Sequence, residues 1–284
     1  MDKFRLNKAE STVVERTLVV ENRGVERLSL TDIAVGYVVA GTKRLHHIYG
    51  VTLCDEGGLF ILGPGLHYQE NCVNSQGFYE QITFRFSADT LHSVLCSLNL
   101  NFGINIVSHH SCSSCEGGNN TAAAASEQLC DLFGTIKILK HGASTLGNDV
   151  VLRIKLTELV FLILSSGDNC LRHKLLRLAD NRKRHFLEVI YSNIFSNVTI
   201  GELAELTHRS LTLFMKDFRA HFGCSPHRWL VEQRLLHSRI MLSSTSATIS
   251  EIANECLFVN VSHFIKLFKR RYGVTPTVYR EMGE

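Results

Sequence analysis

A sixteen-residue segment of this chain recurs fifty positions further on. The run Phe214-Met-Lys-Asp-Phe-Arg-Ala-His-Phe-Gly-Cys-Ser-Pro-His-Arg-Trp229 aligns without a gap on Phe264-Ile-Lys-Leu-Phe-Lys-Arg-Arg-Tyr-Gly-Val-Thr-Pro-Thr-Val-Tyr279. Both copies follow F-x-K-x-F-[RK]-x-x-[FY]-G-x-[ST]-P-x-x-[WY], and two of the chain's three prolines hold equivalent places in it. A duplicated unit has to fold twice into the same local structure. With basic residues in each copy, it points to two copies of one nucleic-acid-binding element.

The periodicity around the repeat is helical throughout residues 182–284. Thr199 is placed to cap a short helix carrying Leu203, Ala204 and Leu206, and Ser210 to cap a second. That second helix is expected to bury Leu211, Phe214 and Phe218 and to expose Thr212, Met215, Lys216 and Arg219. In the second copy Thr248 caps a helix with Ile249, Ile252 and Ala253, and the turn 256–260 leads to a helix burying Phe264, Leu267 and Phe268. Each copy thus reads as a helix-turn-helix, over about 199–221 and 248–271. Ser225-Pro226 opens a connecting helix of some seventeen residues, about 25 Å long, which can hold the two units roughly one DNA turn apart.

These residues resemble the AraC/XylS family of bacterial transcription regulators. The resemblance rests on Leu203-Ala204, Ser210, Phe214-x-Lys216-x-Phe218-Arg219 and Gly223-x-Ser225-Pro226, then Ile252-Ala253, Phe258 and Ser262 through Arg280. It implies that the second helix of each unit enters a major groove. The base-facing positions so implied are Thr212, Met215 and Lys216 in the first unit, and Val261, Ser262, His263 and Lys266 in the second. Arg219, Lys269, Arg270 and Arg271 fall where phosphates are held, contacts that position a protein without reading sequence. Leu257 departs from the pattern, standing where the family usually has glycine; a left-handed backbone there costs a residue with a Cβ about 1 kcal/mol.

The N-terminal part has a different texture. From Leu28 to Phe86, short apolar runs are separated by Gly41, Gly50, Gly57-Gly58, Gly63-Pro64-Gly65 and Gly77, and Tyr79 to Phe86 alternates as a half-buried strand does. Such spacing suggests a small barrel or jelly roll over about 28–90, similar to the cupin-like sensor domain of many AraC/XylS regulators. Two helices are expected over about 122–139 and 149–164, the second apolar nearly all round and in need of burial by its own domain or by another subunit. The fold class is therefore α+β. A cupin-like regulatory and dimerisation domain occupies 1–165, a linker 166–181 and an all-α DNA-binding domain 182–284.

Metal chemistry has little support at the barrel. His46-His47 are adjacent, so on a strand they point to opposite faces, and His67, on a loop or lining a pocket, is the weak candidate for a ligand contact. His109-His110-x-Cys112-x-x-Cys115 has metal or redox spacing but no second CxxC, so Cys112 and Cys115 are set against an ordinary Ser/Gly/Asn-rich loop. No cofactor is expected, and no nucleophile with its base or carboxylate pair points to an enzyme; a cupin-type metalloenzyme is the enzymatic alternative.

Charge agrees with the division. Residues 182–284 carry 14 Lys/Arg against 9 Asp/Glu, a balance of +5, and residues 1–181 carry −2, giving the net +3. A basic half attracts a polyanion, although +5 over such a length is a mild signal. The first residues lack an apolar signal region and the strongest apolar run, Leu159 to Leu164, cannot span a bilayer, so a cytoplasmic protein with its nine cysteines reduced is expected. The partners expected are double-stranded DNA, RNA polymerase, a second copy of the chain, and either a small-molecule effector or a regulatory protein at the N-terminal domain; no membrane is among them.

Overall fold

Among the described residues of the N-terminal part, nine strands form two antiparallel sheets. The strands are β1 Val13–Val19, β2 Glu26–Leu30, β3 Ile33–Ala40, β4 Thr42–His47, β5 Gly50–Cys54, β6 Gly58–Leu62, β7 Gly65–Cys72, β8 Tyr79–Phe86 and β9 Asn120–Ala124. One sheet has the order β1-β8-β3-β6-β9 and the other β2-β7-β4-β5. The computed structural model describes residues 12–48, 50–107, 110, 120–139, 145–167, 169–179 and 184–282. Among these residues the expected barrel or jelly roll takes the form of two sheets, of five and four strands, that do not close into one barrel.

The larger sheet is covered on both faces, which explains its composition. Ile33, Val35, Leu59, Ile61, Ile82, Phe84 and Phe86 point from β3, β6 and β8 into a core shared with the helices. The alternate residues Ala34, Val38, Phe60, Leu62 and Tyr79 pack with Leu30, Leu45 and Cys54 of the smaller sheet. Alternation in β8 therefore marks two buried faces, one apolar and one polar, and Gln81 and Thr83 are buried as well. Gly36 on β3 lies opposite Phe60 on β6, and a Cβ there would sit 2.1 Å from the Phe60 ring.

Among the described residues four helices pack on this sheet: α1 Ala88–Phe102, α2 Glu127–Leu139, α3 Thr145–Ser165 and α4 Asn169–Leu178. Two boundaries differ from expectation. The alanines 122–124, read as the start of a helix, instead pair with β6 as the edge strand β9, because Gly58 to Leu62 offers them an unpaired ladder. The stretch 166–181 is not a bare linker, since α4 lies within it and buries Leu171 and Leu175 in the helix-side core. On α3, Leu156, Leu159, Val160 and Ile163 are buried, while Val150, Ile154 and Phe161 stay exposed.

The C-terminal part is α5 Arg184–Ser192, α6 Ile200–Leu206, α7 Leu211–Phe222, α8 Pro226–Ser244, α9 Ile249–Glu255, α10 Val261–Tyr272 and α11 Pro276–Glu281. Backbone contacts divide the chain into two compact units, Met1–Arg184 and His185–Glu284. Capping sets the helix starts. Thr199 with Glu202 and Thr248 with Glu251 form complete capping boxes, in which the backbone and hydroxyl of each threonine hold the glutamate carboxyl below its usual range. Ser210 caps α7, and Pro226 and Pro276 stand in the first turns of α8 and α11.

Candidate nucleic-acid interface

Phenylalanine decides which way α7 and α10 face. Phe214, Phe218 and Phe222 are buried on α7, with the Phe222 ring 4.5 Å from Trp229 of α8 and the Phe186 ring of α5 5.5 Å from Phe214. Leu211, expected inside, is 54% exposed: it is the first residue of α7, beyond the edge of this aromatic core, and Phe222 fills the other end instead. On α10, Phe264 and Phe268 are buried against Phe258, Tyr272 and Tyr279, and Leu267 only half-buried.

With the rings inside, the polar residues face out. Thr212, Lys216 and Arg219 are exposed, Met215 is half-buried, and together with Ala220 they line one shallow depression along α7. Ser262, His263, Lys266, Lys269 and Arg270 are exposed on α10, and Val261 is half-buried at its start. Among the described residues, none of Lys216, Arg219, Lys266, Lys269 and Arg270 is in an ion pair. Arg271 differs, because its Nε donates to Glu232 Oε2 at 2.6 Å and the half-buried guanidinium is 5.6 Å from the Tyr272 ring. It ties α10 to α8.

The turns between the paired helices are built alike. His208 and Leu257 both hold left-handed backbone, with φ of 55° and 56°. His208 N–H donates to Glu205 and Arg209 N–H to Ala204; correspondingly, Leu257 N–H donates to Asn254 and Phe258 N–H to Ala253. This closure of a helix C-terminus is the Schellman arrangement, normally finished by glycine. Leu257 therefore keeps the turn geometry that its Cβ disfavours. The first turn follows its closure with Arg209, which lies over the Phe186 ring and pairs with Asp217 at 2.9 Å; the second does so with the buried Phe258. Thr199 and Thr248 are forty-nine residues apart, Phe214 and Phe264 fifty, so the second turn holds one extra residue. Val259 occupies the added position, fully exposed, before Asn260 caps α10 through Ser262 N–H and His263 N–H.

The connecting helix α8, nineteen residues long, spans about 28 Å. Its apolar residues Trp229, Leu230, Leu235 and Ile240 are all buried. Sequence reasoning missed the half-buried Arg234, whose Nε, Nη1 and Nη2 donate to the carbonyls of Ile194, Leu257 and Ser196. An arginine inside an apolar helix pattern was the available signal.

The N-terminal candidates are dispersed. His67 is buried on β7, not on a loop, with Nε2 2.8 Å from the Gly63 carbonyl. His46 and His47 lie on β4 with different neighbours, Glu70 and Thr52. Cys112 and Cys115 lie outside the described residues, and the neighbouring His110 is 3.3 Å from the Cys170 thiol. Among the described residues, no three metal-ligating side chains are gathered at one point. The polar group that does stand out is Lys43, which is fully buried between the sheets.

Residues 203–282 match the family described as "Helix-turn-helix domain". The chain is 28% identical over 151 residues to the HTH-type transcriptional regulator ExsA of Pseudomonas aeruginosa, covering 53% of this chain and 54% of that one. It is 29% identical over 132 residues to the virulence regulon transcriptional activator VirF of Yersinia enterocolitica, covering 46% and 49%. The chain thus spans about half the length of these curated relatives. Among solved structures, wild-type ToxT from Vibrio cholerae, bound to an unsaturated fatty acid, superposes with a TM-score of 0.47 at 13% identity over 98% of this chain and 98% of that one. By its paired helix-turn-helix units and these matches, residues 203–282 form a helix-turn-helix domain similar to that of the HTH-type transcriptional regulators.

Proposed function

We propose that the protein is a sequence-specific DNA-binding transcription regulator, acting as an activator, that reads two successive major grooves with α7 and α10. The observation that carries this reading is the pair of outward basic faces, alike in backbone and unlike in side chains. Lys216 and Lys266 donate to guanine, Ser262 and His263 donate or accept, and Thr212 and Val261 meet thymine methyls, with Met215 beside them. Arg219, Lys269 and Arg270 hold phosphates. The name of VirF, a transcriptional activator, favours activation, with RNA polymerase as the further partner. A regulator that works on DNA in this way acts in the cytoplasm. No helix among the described residues is long and apolar enough to cross a membrane.

The N-terminal unit supplies control and self-association. The exposed stripe Val150, Ile154 and Phe161 on α3 supports a homodimer. For control, a regulatory protein is favoured over a small molecule, because Lys43, Asn71, Gln81 and Tyr79 fill the space between the sheets with their own hydrogen bonds. Selection of duplexes from random DNA by the full chain tests the main reading. It should recover a motif of two unlike half-sites about one helical turn apart; recovery of no motif refutes it.

A further inference from the structure

Two side chains of α8, one turn apart, bridge the same two distant segments. The first segment, 194–196, leads into the first helix-turn-helix; the second, 255–257, forms the turn of the other. Arg234 reaches both: Nε donates to the Ile194 carbonyl, Nη2 to that of Ser196 and Nη1 to that of Leu257, each at 3.4 Å. His237 does the same by other contacts, with its ring 4.8 Å from that of Phe195 and Nε2 4.0 Å from Glu255 Oε1. Ser196 lies three residues before the cap of α6, and Leu257 is the left-handed residue that sets the path from α9 to α10. A guanidinium is a planar fork, so three carbonyls that share one are held in a fixed relation to each other.

We infer that Arg234, backed by His237, is a positioning residue that fixes the angle between α7 and α10, and so sets the half-site spacing the protein accepts on DNA. This rests on the two-groove reading above. Neither side chain belongs to the outward faces of α7 and α10. Arg234 acts on recognition through the backbone of both units, where a lysine of similar length could satisfy one carbonyl but not hold three in a plane.

The experiment uses the full chain and three duplexes: the site selected from random DNA, that site with one base pair inserted between its halves, and that site with one half scrambled. The insertion rotates one half by about 35° and moves it about 3.4 Å. The unsubstituted protein should lose at least about tenfold on insertion, because the second half can no longer be reached from the first. Arg234→Lys should bind the selected site about tenfold more weakly, lose most of the discrimination against the inserted site, and bind the half-scrambled duplex as before. The inference is overturned if Arg234→Lys discriminates between the spacings as the unsubstituted protein does, or if its binding to the half-scrambled duplex falls as far as that to the selected site. Should Arg234→Lys not fold, His237→Gln is judged on the same duplexes by the same two criteria. An unsubstituted protein without sequence preference refutes the two-groove reading itself, an outcome distinct from unchanged discrimination.

Discussion

Lys43 gives the N-terminal unit a stability that rises with pH above neutrality. Its Nζ lies between the sheets, 3.0 Å from Asn71 Oδ1 and 3.0 Å from Gln81 Oε1, and 4.9 Å from the centre of the Phe60 ring. Burial pulls the ammonium from 10.5 down to about 7, against the smaller opposing pull of Cys54 and Glu26. A neutral amine has two N–H groups, one for each amide oxygen. Between about pH 7 and 10.5 the unfolded chain holds a proton on this lysine that the folded chain has released. The unfolded state binds more protons there, so stability rises with pH. Each pH unit contributes about 1.4 kcal/mol once the folded-state amine is neutral, and because it is still half protonated at pH 7 the gain from pH 7 to 9 is about 2 kcal/mol. Above 9 the gain is offset, because burial pushes the Cys54 thiol up to about 12 from 9.0 and raises Cys72 and Tyr37 in the same direction. Urea titrations at pH 7, 8 and 9 followed by far-ultraviolet circular dichroism should show the N-terminal transition moving up by about 1–2 M. The single tryptophan, Trp229, reports the C-terminal unit separately by fluorescence. Lys43→Met should abolish the rise. A transition that stays fixed between pH 7 and 9, or an equal rise in Lys43→Met, refutes the argument.

Other expected outcomes concern the interface and its supports. Lys266→Ala should weaken specific binding by about 1–3 kcal/mol and relax preference at one base pair in a binding assay across point-mutated sites. Arg270→Ala should weaken all duplexes alike and lower the slope of log affinity against log salt by about 1. Leu257→Gly should raise the stability of the C-terminal unit by about 1 kcal/mol, measured by Trp229 fluorescence in denaturant, as the left-handed residue loses its Cβ. Gly36→Ala should destabilise the N-terminal unit by about 1–3 kcal/mol in calorimetry, since the new methyl meets the Phe60 ring between two sheets.

What was legible in the sequence was local. The fifty-residue repeat, its capping threonines and the spacing of Phe214, Phe218, Phe264 and Phe268 predict α6 to α10, because each feature acts within one or two helical turns. Leu211 was misplaced for the opposite reason, since what it touches depends on where the aromatic core ends, and the pairing of Arg271 with Glu232 of α8 was not legible for the same cause. In the N-terminal unit, strand texture was visible but strand partners were not. Three alanines read as helix until β6 supplies a ladder, and an alternating β8 read as half-buried although both its faces are covered. Lys43 shares a strand face with Leu45, which marked it as inward-pointing; the amide oxygens that accept it come from β7 and β8, far along the chain.

The pairing of strands remote in sequence also decides the order in which the parts of this protein form. Val13 on β1 pairs with Arg85, and Leu59 on β6 pairs with Ala123 on β9, so the larger sheet closes only after long stretches of intervening chain have been gathered. Each helix-turn-helix closes within about two dozen residues. Loop-closure entropy favours the near contacts, and refolding speed follows the mean separation of contacting residues. After dilution from denaturant, the C-terminal unit should therefore form well before the N-terminal sheet, whose unpaired strand edges stay exposed to other chains in the interval.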